Sequence, residues 1–210
     1  MNSQTERLSL RGAAGAIEVL RDAPPAEMSL RGVVVIAHPH PLFGGTMDNK
    51  VVQTMARAFV ACGWTAVRFN FRGVGASDGV HDEGRGETED MQAVVHQLAP
   101  NGPLALAGFS FGAFVASRTA EPFWATRGIS KMVLIGTAAS RFAVAALPVD
   151  AQDRTLVVHG EQDDTVPLAA VMDWARPQSL PVTVIPGAGH FFHGQLPLLK
   201  SLVVRHLGAN

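Results

Sequence analysis

Gly108-Phe109-Ser110-Phe111-Gly112 sets a serine between two glycines, with apolar Leu104 to Phe109 before it and Phe111 to Ala120 after it. A strand followed by a helix is the context in which G-x-S-x-G carries chemistry. The serine then sits on a sharp, strained turn that lifts its hydroxyl clear of the sheet. Such a hydroxyl attacks a carbonyl only if a base lies within hydrogen-bond reach and a third group orients that base. Gly75-Ala76-Ser77-Asp78-Gly79 fits the same pattern, but polar loop follows it at His81-Asp82-Glu83-Gly84. Ser110 is therefore the expected nucleophile and Ser77 the alternative. A plain helix N-cap role for Ser110 leaves the two symmetric glycines unexplained.

In this strand–turn–helix setting the acid and then the histidine follow the serine along the chain. Beyond Thr155 to His159 lies Gly160-Glu161-Gln162-Asp163-Asp164-Thr165-Val166-Pro167. Asp163 is preferred as the orienting acid because it falls on the turn itself. Asp164 is the runner-up, with capping of the next helix as its ordinary role, and Glu161 ranks below it. His159 ends its strand and reads as packed rather than catalytic. Beyond Val182 to Ile185, the glycine-rich Pro186-Gly187-Ala188-Gly189-His190 presents a histidine suited to general-base work. His193 is the alternative to His190, but it reads as the start of the last helix.

Acyl transfer also needs donors aimed at the developing oxyanion. The backbone N–H of Phe111, directly after the nucleophile, is one. The loop His38-Pro39-His40-Pro41-Leu42-Phe43-Gly44-Gly45 supplies the other. Pro39 and Pro41 have no N–H, so His40 is expected, with Leu42 as a weaker candidate. A zinc site needs about three protein ligands, and His38 and His40 lack a third at a short spacing, so no metal is expected. Arg72, in Phe71-Arg72-Gly73, is expected to pin the loops by bonding to carbonyls.

The elements that must position these groups alternate strand and helix. Short apolar runs at Gly32–Ala37, Trp64–Asn70, Leu104–Phe109, Lys131–Gly136, Thr155–His159 and Val182–Ile185 read as strands. Helical rhythm covers Met47–Cys62, Glu87–Leu98, Phe111–Ala120, Leu168–Ala175 and Gln195–Leu207, and Ala16–Leu20 reads as an antiparallel edge strand. The pattern predicts an α/β fold over residues 1–210 as one domain: a mainly parallel sheet with helices on both faces. Ligands then bind beyond the carboxyl ends of the strands, where His38 to Gly45, Asn70 to Gly79, Ser110, Gly160 to Pro167 and Pro186 to His193 fall. Of the 210 residues, 47% are hydrophobic and 17% charged, enough for a sizeable core and too apolar for a disordered chain. Seventeen basic residues against eighteen acidic give no surplus for a nucleic-acid partner. A lone cysteine, Cys62, makes a reducing compartment the default. Met1 to Arg7 is polar and no run nears the ~18 apolar residues of a membrane span, so a cytoplasmic protein is expected.

The blocks His38 to Lys50, Phe69 to Gly75, Ala107 to Gly112, His159 to Asp163 and Gly189 to Gly194 resemble those of the small lidless bacterial α/β-hydrolases. That is a group of predicted serine hydrolases related to dienelactone hydrolase. The resemblance implies the α/β-hydrolase fold and the triad Ser110, Asp163 and His190. It departs at Gly189, where such relatives are expected to carry an acid. Only Thr137 to Arg154 separates two strands where larger members insert a cap. That segment is too short for a cap domain, although Phe142 to Leu147 could form a short apolar helix beside the site. An open site lined by Leu42, Phe43 and Phe191, with Phe109, Phe111 and Phe192 nearby, suits a small carboxylic ester. Thioester and lactone or dienelactone hydrolysis use the same machinery. A non-catalytic binding module is the alternative of a different class. No cofactor is expected, and the partner is a small ester or thioester.

Overall fold

The β-branched run Gly32–Ala37 forms a strand in the middle of an eight-stranded sheet, buried along both faces. Alternate side chains feed two apolar clusters, Val35 and Ala37 on one face and Val34 and Ile36 on the other. This is the period-2 geometry of a strand covered on both sides. A computed structural model describes residues 5–208. The strands are β1 (Thr5–Gly12), β2 (Gly15–Asp22), β3 (Gly32–Ala37), β4 (Trp64–Phe69), β5 (Leu104–Phe109), β6 (Lys131–Ile135), β7 (Thr155–Gly160) and β8 (Val182–Ile185). Their order is β1-β2-β4-β3-β5-β6-β7-β8. The β1–β2 and β2–β4 pairs are antiparallel and the rest are parallel.

The helices are α1 (Lys50–Ala61), α2 (Arg85–Leu98), α3 (Phe111–Thr126), α4 (Leu168–Ala175) and α5 (Leu196–Gly208). Residues of α2, α3 and α4 pack into one cluster, those of α1 and α5 into the other. Among the described residues no helix is long and apolar enough to cross a membrane.

Three sequence expectations are corrected. The strand at Ala16–Leu20 is not at the edge: β1 lies outside it, and β2 is paired on both sides. Only Leu8 and Leu10 of β1 pack on the core, so its half-exposed alternation carries little apolar signal. Residues 1–4 of the polar N-terminal run lie outside the described residues. Helix α3 continues beyond Ala120 through Pro122. Buried Phe123 anchors its last turn, and its carbonyl accepts from the N–H groups of Arg127 and Gly128. Phe142 to Leu147 is not helical. A six-residue stretch is too short to offset helix nucleation, and its backbone bonds to its neighbours instead. Ala145 N–H donates to Ser117 Oγ at 3.1 Å, and Leu147 N–H to Gln178 Oε1 at 2.8 Å.

Arg72 does pin the loops, but through carboxylates rather than carbonyls. Its guanidinium grips Asp90 with two bonds of 3.0 and 2.8 Å, and its own N–H donates to the same carboxylate at 3.1 Å. Asp90 is 1% exposed on α2, so it requires a counter-charge. Gly86 makes room: a Cβ there would lie 1.7 Å from Arg72 Nη1. Arg72 thereby fastens the loop after β4 to α2. Asp90→Ala, which leaves the Arg72 guanidinium only the exposed Glu89 carboxylate at 3.3 Å, should cost about 3 kcal/mol. Urea denaturation checks this, and a loss below 1 kcal/mol would mean water replaces the partner.

Candidate active site

Ser110 occupies the single residue between β5 and α3, with φ 57° and ψ −116°. A left-handed serine is strained, at a cost of roughly 1–3 kcal/mol, and the packing around it enforces the turn. A Cβ on Gly108 would lie 2.1 Å from the Gly112 carbonyl oxygen, and a Cβ on Gly112 2.3 Å from that of Ala37. The two glycines let α3 start directly against β5 and β3. Ser110 N–H is bonded to the Ile135 carbonyl of β6 at 2.8 Å.

Asp163 follows β7 and His190 follows β8, and the two loops are sewn together. Gln162 N–H donates to the Ala188 carbonyl at 2.9 Å, and Gly187 N–H to Glu161 Oε2 at 2.9 Å. Glu161, the third-ranked acid, thus ties down the histidine loop rather than the histidine. Asp163 Oδ1 accepts from the N–H groups of Thr165 and Val166 at 3.0 and 2.7 Å. Its Oδ2 lies 2.7 Å from His190 Nδ1. On the far side of the ring, His190 Nε2 is 3.0 Å from Ser110 Oγ. Burial pushes the Asp163 pKa upward, but the bonds from His190 and Val166 outweigh it and hold the carboxylate below its usual range. An ionised Asp163 must accept from Nδ1–H. Neutral His190 then carries its lone pair on Nε2, facing the serine hydroxyl.

The alternatives lie elsewhere. Asp164 is exposed and takes only the Thr165 hydroxyl at 3.3 Å. His193 is exposed in a turn before α5 begins at Leu196. Ser77 holds structure: its Oγ donates to the Asn70 carbonyl at 2.7 Å and accepts Glu18 N–H at 2.9 Å. A Cβ at Gly189 would meet nothing nearer than the Gln162 carbonyl at 3.8 Å, so space does not dictate the glycine.

The loop after β3 is held by a buried histidine. His38 Nε2 accepts Phe71 N–H at 3.1 Å, leaving Nδ1–H to donate to the Pro39 carbonyl at 2.6 Å. Both ring nitrogens are committed, and burial lowers its pKa to about 4. Pro41–Phe43 form one 3-10 turn, and the Leu42 N–H is taken by His40 Nδ1 at 3.3 Å. That leaves His40 as the loop's N–H candidate for the oxyanion. Phe111 opens α3, where first-turn N–H groups have no intrahelical acceptor.

A cavity of about 300 Å³ opens over Ser110. Phe43, Phe111, Phe142, Phe191, Ala138 and Val166 form its apolar walls, and His40, Asn49, Arg141 and Thr165 add polar groups. Leu42 is not among the lining residues. It is 69% exposed, because the 3-10 turn carries only its neighbour Phe43 to the rim. Phe109 and Phe192 are core residues, with Phe109 under the His190 ring at 4.9 Å.

Sequence reading missed Arg141; it placed Phe142 beside the site and His159 in the packing, but not the bracing role of His159. His159 is fully buried. Its Nε2 donates to the Val166 carbonyl at 2.9 Å and lies 3.4 Å from Asp163 Oδ2, bracing the acid loop. Its place at the strand end, four residues before Asp163, was the available signal. Nothing in the pattern marks Arg141, which reaches the site only because its loop folds back.

A family model for the alpha/beta hydrolase fold matches residues 39–154. The chain belongs to the alpha/beta hydrolase fold family. This alpha/beta hydrolase is similar to a lidless α/β serine hydrolase from Xanthomonas campestris, at 35% identity and TM-score 0.86, covering 99% of this chain and 95% of that one. It is 38% identical to an α/β serine hydrolase homologue from Coxiella burnetii, at TM-score 0.82, with 96% and 97% of the two chains covered. A shorter match, 46% identical over 88 residues, is to an uncharacterized protein of Rickettsia prowazekii and spans 40% of this chain. It covers 37% of that curated relative's length.

The buried histidines give a pH prediction. His38 and His206 are both lowered from 6.5 to about 4, each chiefly by burial. The unfolded chain binds these protons more tightly. The stability that the neutral rings support is therefore complete above pH 6.5 and declines as pH falls toward 4. For His38 the full decline is about 3 kcal/mol. Urea midpoints should drop between pH 7 and pH 5, and His206→Gln, away from the site, should flatten part of the slope. A midpoint constant over that range would contradict the neutral burial of these rings.

Proposed function

We propose that this alpha/beta hydrolase is a serine carboxylesterase that cleaves small esters through an acyl-enzyme. The observation that carries the reading is the unbroken contact from Asp163 through His190 to Ser110, at 2.7 and 3.0 Å. His190 Nε2 removes the hydroxyl proton as Ser110 Oγ attacks the ester carbonyl carbon. The carbonyl oxygen becomes an oxyanion that accepts from the N–H groups of Phe111 and His40. His190, now protonated and stabilised by ionised Asp163, gives its proton to the departing alcohol. Water then repeats the attack on the acyl-serine with His190 again as base, releasing the acid and restoring the hydroxyl. The aromatic walls favour a small apolar acyl group, and the missing cap leaves the entrance open. The substrate is a small molecule, neither nucleic acid nor membrane, and the chain's own residues suffice without a cofactor.

Hydrolysis of p-nitrophenyl butyrate and labelling by a fluorophosphonate probe test the reading. Ser110→Ala should abolish labelling and lower kcat by on the order of 10⁶. Folded protein that neither turns over the ester nor reacts with the probe would point instead to a binding module. Asp163→Asn, which keeps the shape but frees the wrong tautomer, should lose about 10⁴ in kcat. A loss under tenfold would mean another group orients His190.

A further inference from the structure

We infer that the cavity over Ser110 is built for esters bearing an anionic group, a carboxylate above all, and that Arg141 binds that group. The inference rests on Ser110 as the nucleophile. No Asp or Glu lines the cavity, and its ionisable lining residues are His40, His190 and Arg141. Among the described residues Arg141 has no carboxylate partner. Exposed Arg57, Arg118 and Arg205 also lack a carboxylate partner, but none of them lines this cavity, so Arg141 is set apart by its place beside Ser110. The acids nearest the site are committed. Asp163 is bonded to His190, and the side chain of Glu87 is fully buried, accepting the N–H groups of Asp82 and Gly84 at 2.9 and 2.8 Å. A fixed positive charge in an apolar cavity without a counter-ion is an arrangement that favours an incoming anion.

The backbone under Arg141 is braced. The N–H groups of Arg141 and Phe142 both donate to the Ala138 carbonyl, at 3.2 and 3.1 Å. Phe142 stacks on Phe114 with centroids 4.8 Å apart and meets the edge of Phe111 at 5.1 Å. The guanidinium therefore hangs from a turn fastened to the first turn of α3, beside the nucleophile. Its charge is felt at His40, whose pKa is held down by burial first, then by His81, with buried Glu87 opposing and Arg141 adding to the lowering. The planar, permanently charged fork of arginine suits a carboxylate.

Two matched pairs test the inference and locate the anion. Mono-p-nitrophenyl glutarate against p-nitrophenyl pentanoate carries the charge on the acyl side. 4-Butanoyloxybenzoate against phenyl butanoate carries it on the alcohol side. The charged member of at least one pair should be preferred by about tenfold or more in kcat/KM. That ratio should collapse toward unity in Arg141→Gln and be partly kept in Arg141→Lys. Ratios that Arg141→Gln leaves unchanged in both pairs overturn the inference. Should the protein hydrolyse none of the four, the esterase reading fails. Calorimetric binding of the same esters to Ser110→Ala, with and without Arg141→Gln, then decides: roughly tenfold weaker binding of a charged ester in the double variant upholds Arg141, and equal binding refutes it.

Discussion

A serine held at φ 57° is the constraint on which the rest of this molecule turns. The strain is tolerated because the surroundings permit nothing else. Gly108 and Gly112 allow strand, turn and helix to approach within a distance that any Cβ would forbid. The Ser110 N–H is already spent on β6. With the backbone so fixed, the hydroxyl stands at the carboxyl edge of the sheet, and the first N–H of α3 stands beside it. Two apolar clusters, one on each face of the sheet, supply the burial that offsets the strain.

Asp163 and His190 reach that serine by the same principle of paired loops. β7 and β8 run parallel and in register, so the chain leaving each emerges on one side of the sheet. Bonds from Gln162 to Ala188 and from Gly187 to Glu161 remove the freedom those loops would otherwise have. His159 and the Val166 N–H then hold the two faces of the Asp163 carboxylate loop. A carboxylate anchored in this way remains ionised despite its burial, and it sets which nitrogen of His190 keeps the proton.

A similar economy governs the opposite wall. His38 spends both nitrogens on backbone and stays neutral, clamping the β3 loop to Phe71. Arg72 and Asp90 fasten the next stretch to α2. His38, weighed in the sequence as a metal ligand, is here a brace like Arg72, while the exposed Arg141, silent in the sequence, lines the cavity. Burial separates the two kinds of charge: a buried ion must be paired, and an exposed one without a partner is available to a ligand.

The residues alone specified the strand–helix alternation, the serine turn and the loops that carry Asp163 and His190. Apolar periodicity and glycine spacing are local, and β5, α4 and β8 begin and end where that periodicity does. The preference for Asp163 over Asp164 could also be read locally, from its place on the turn. Weakly apolar β1 and the continuation of α3 through Pro122 could not, because each depends on packing against distant residues. Nor could the non-helical course of Phe142 to Leu147, whose backbone N–H groups are taken in part by Ser117 and Gln178. Tertiary structure alone decided that Arg72 meets a carboxylate, that Leu42 stays outside the cavity and that Arg141 lines it. Side-chain chemistry travels with the sequence, but the surroundings that bury, pair or expose a charge come from parts of the chain far away.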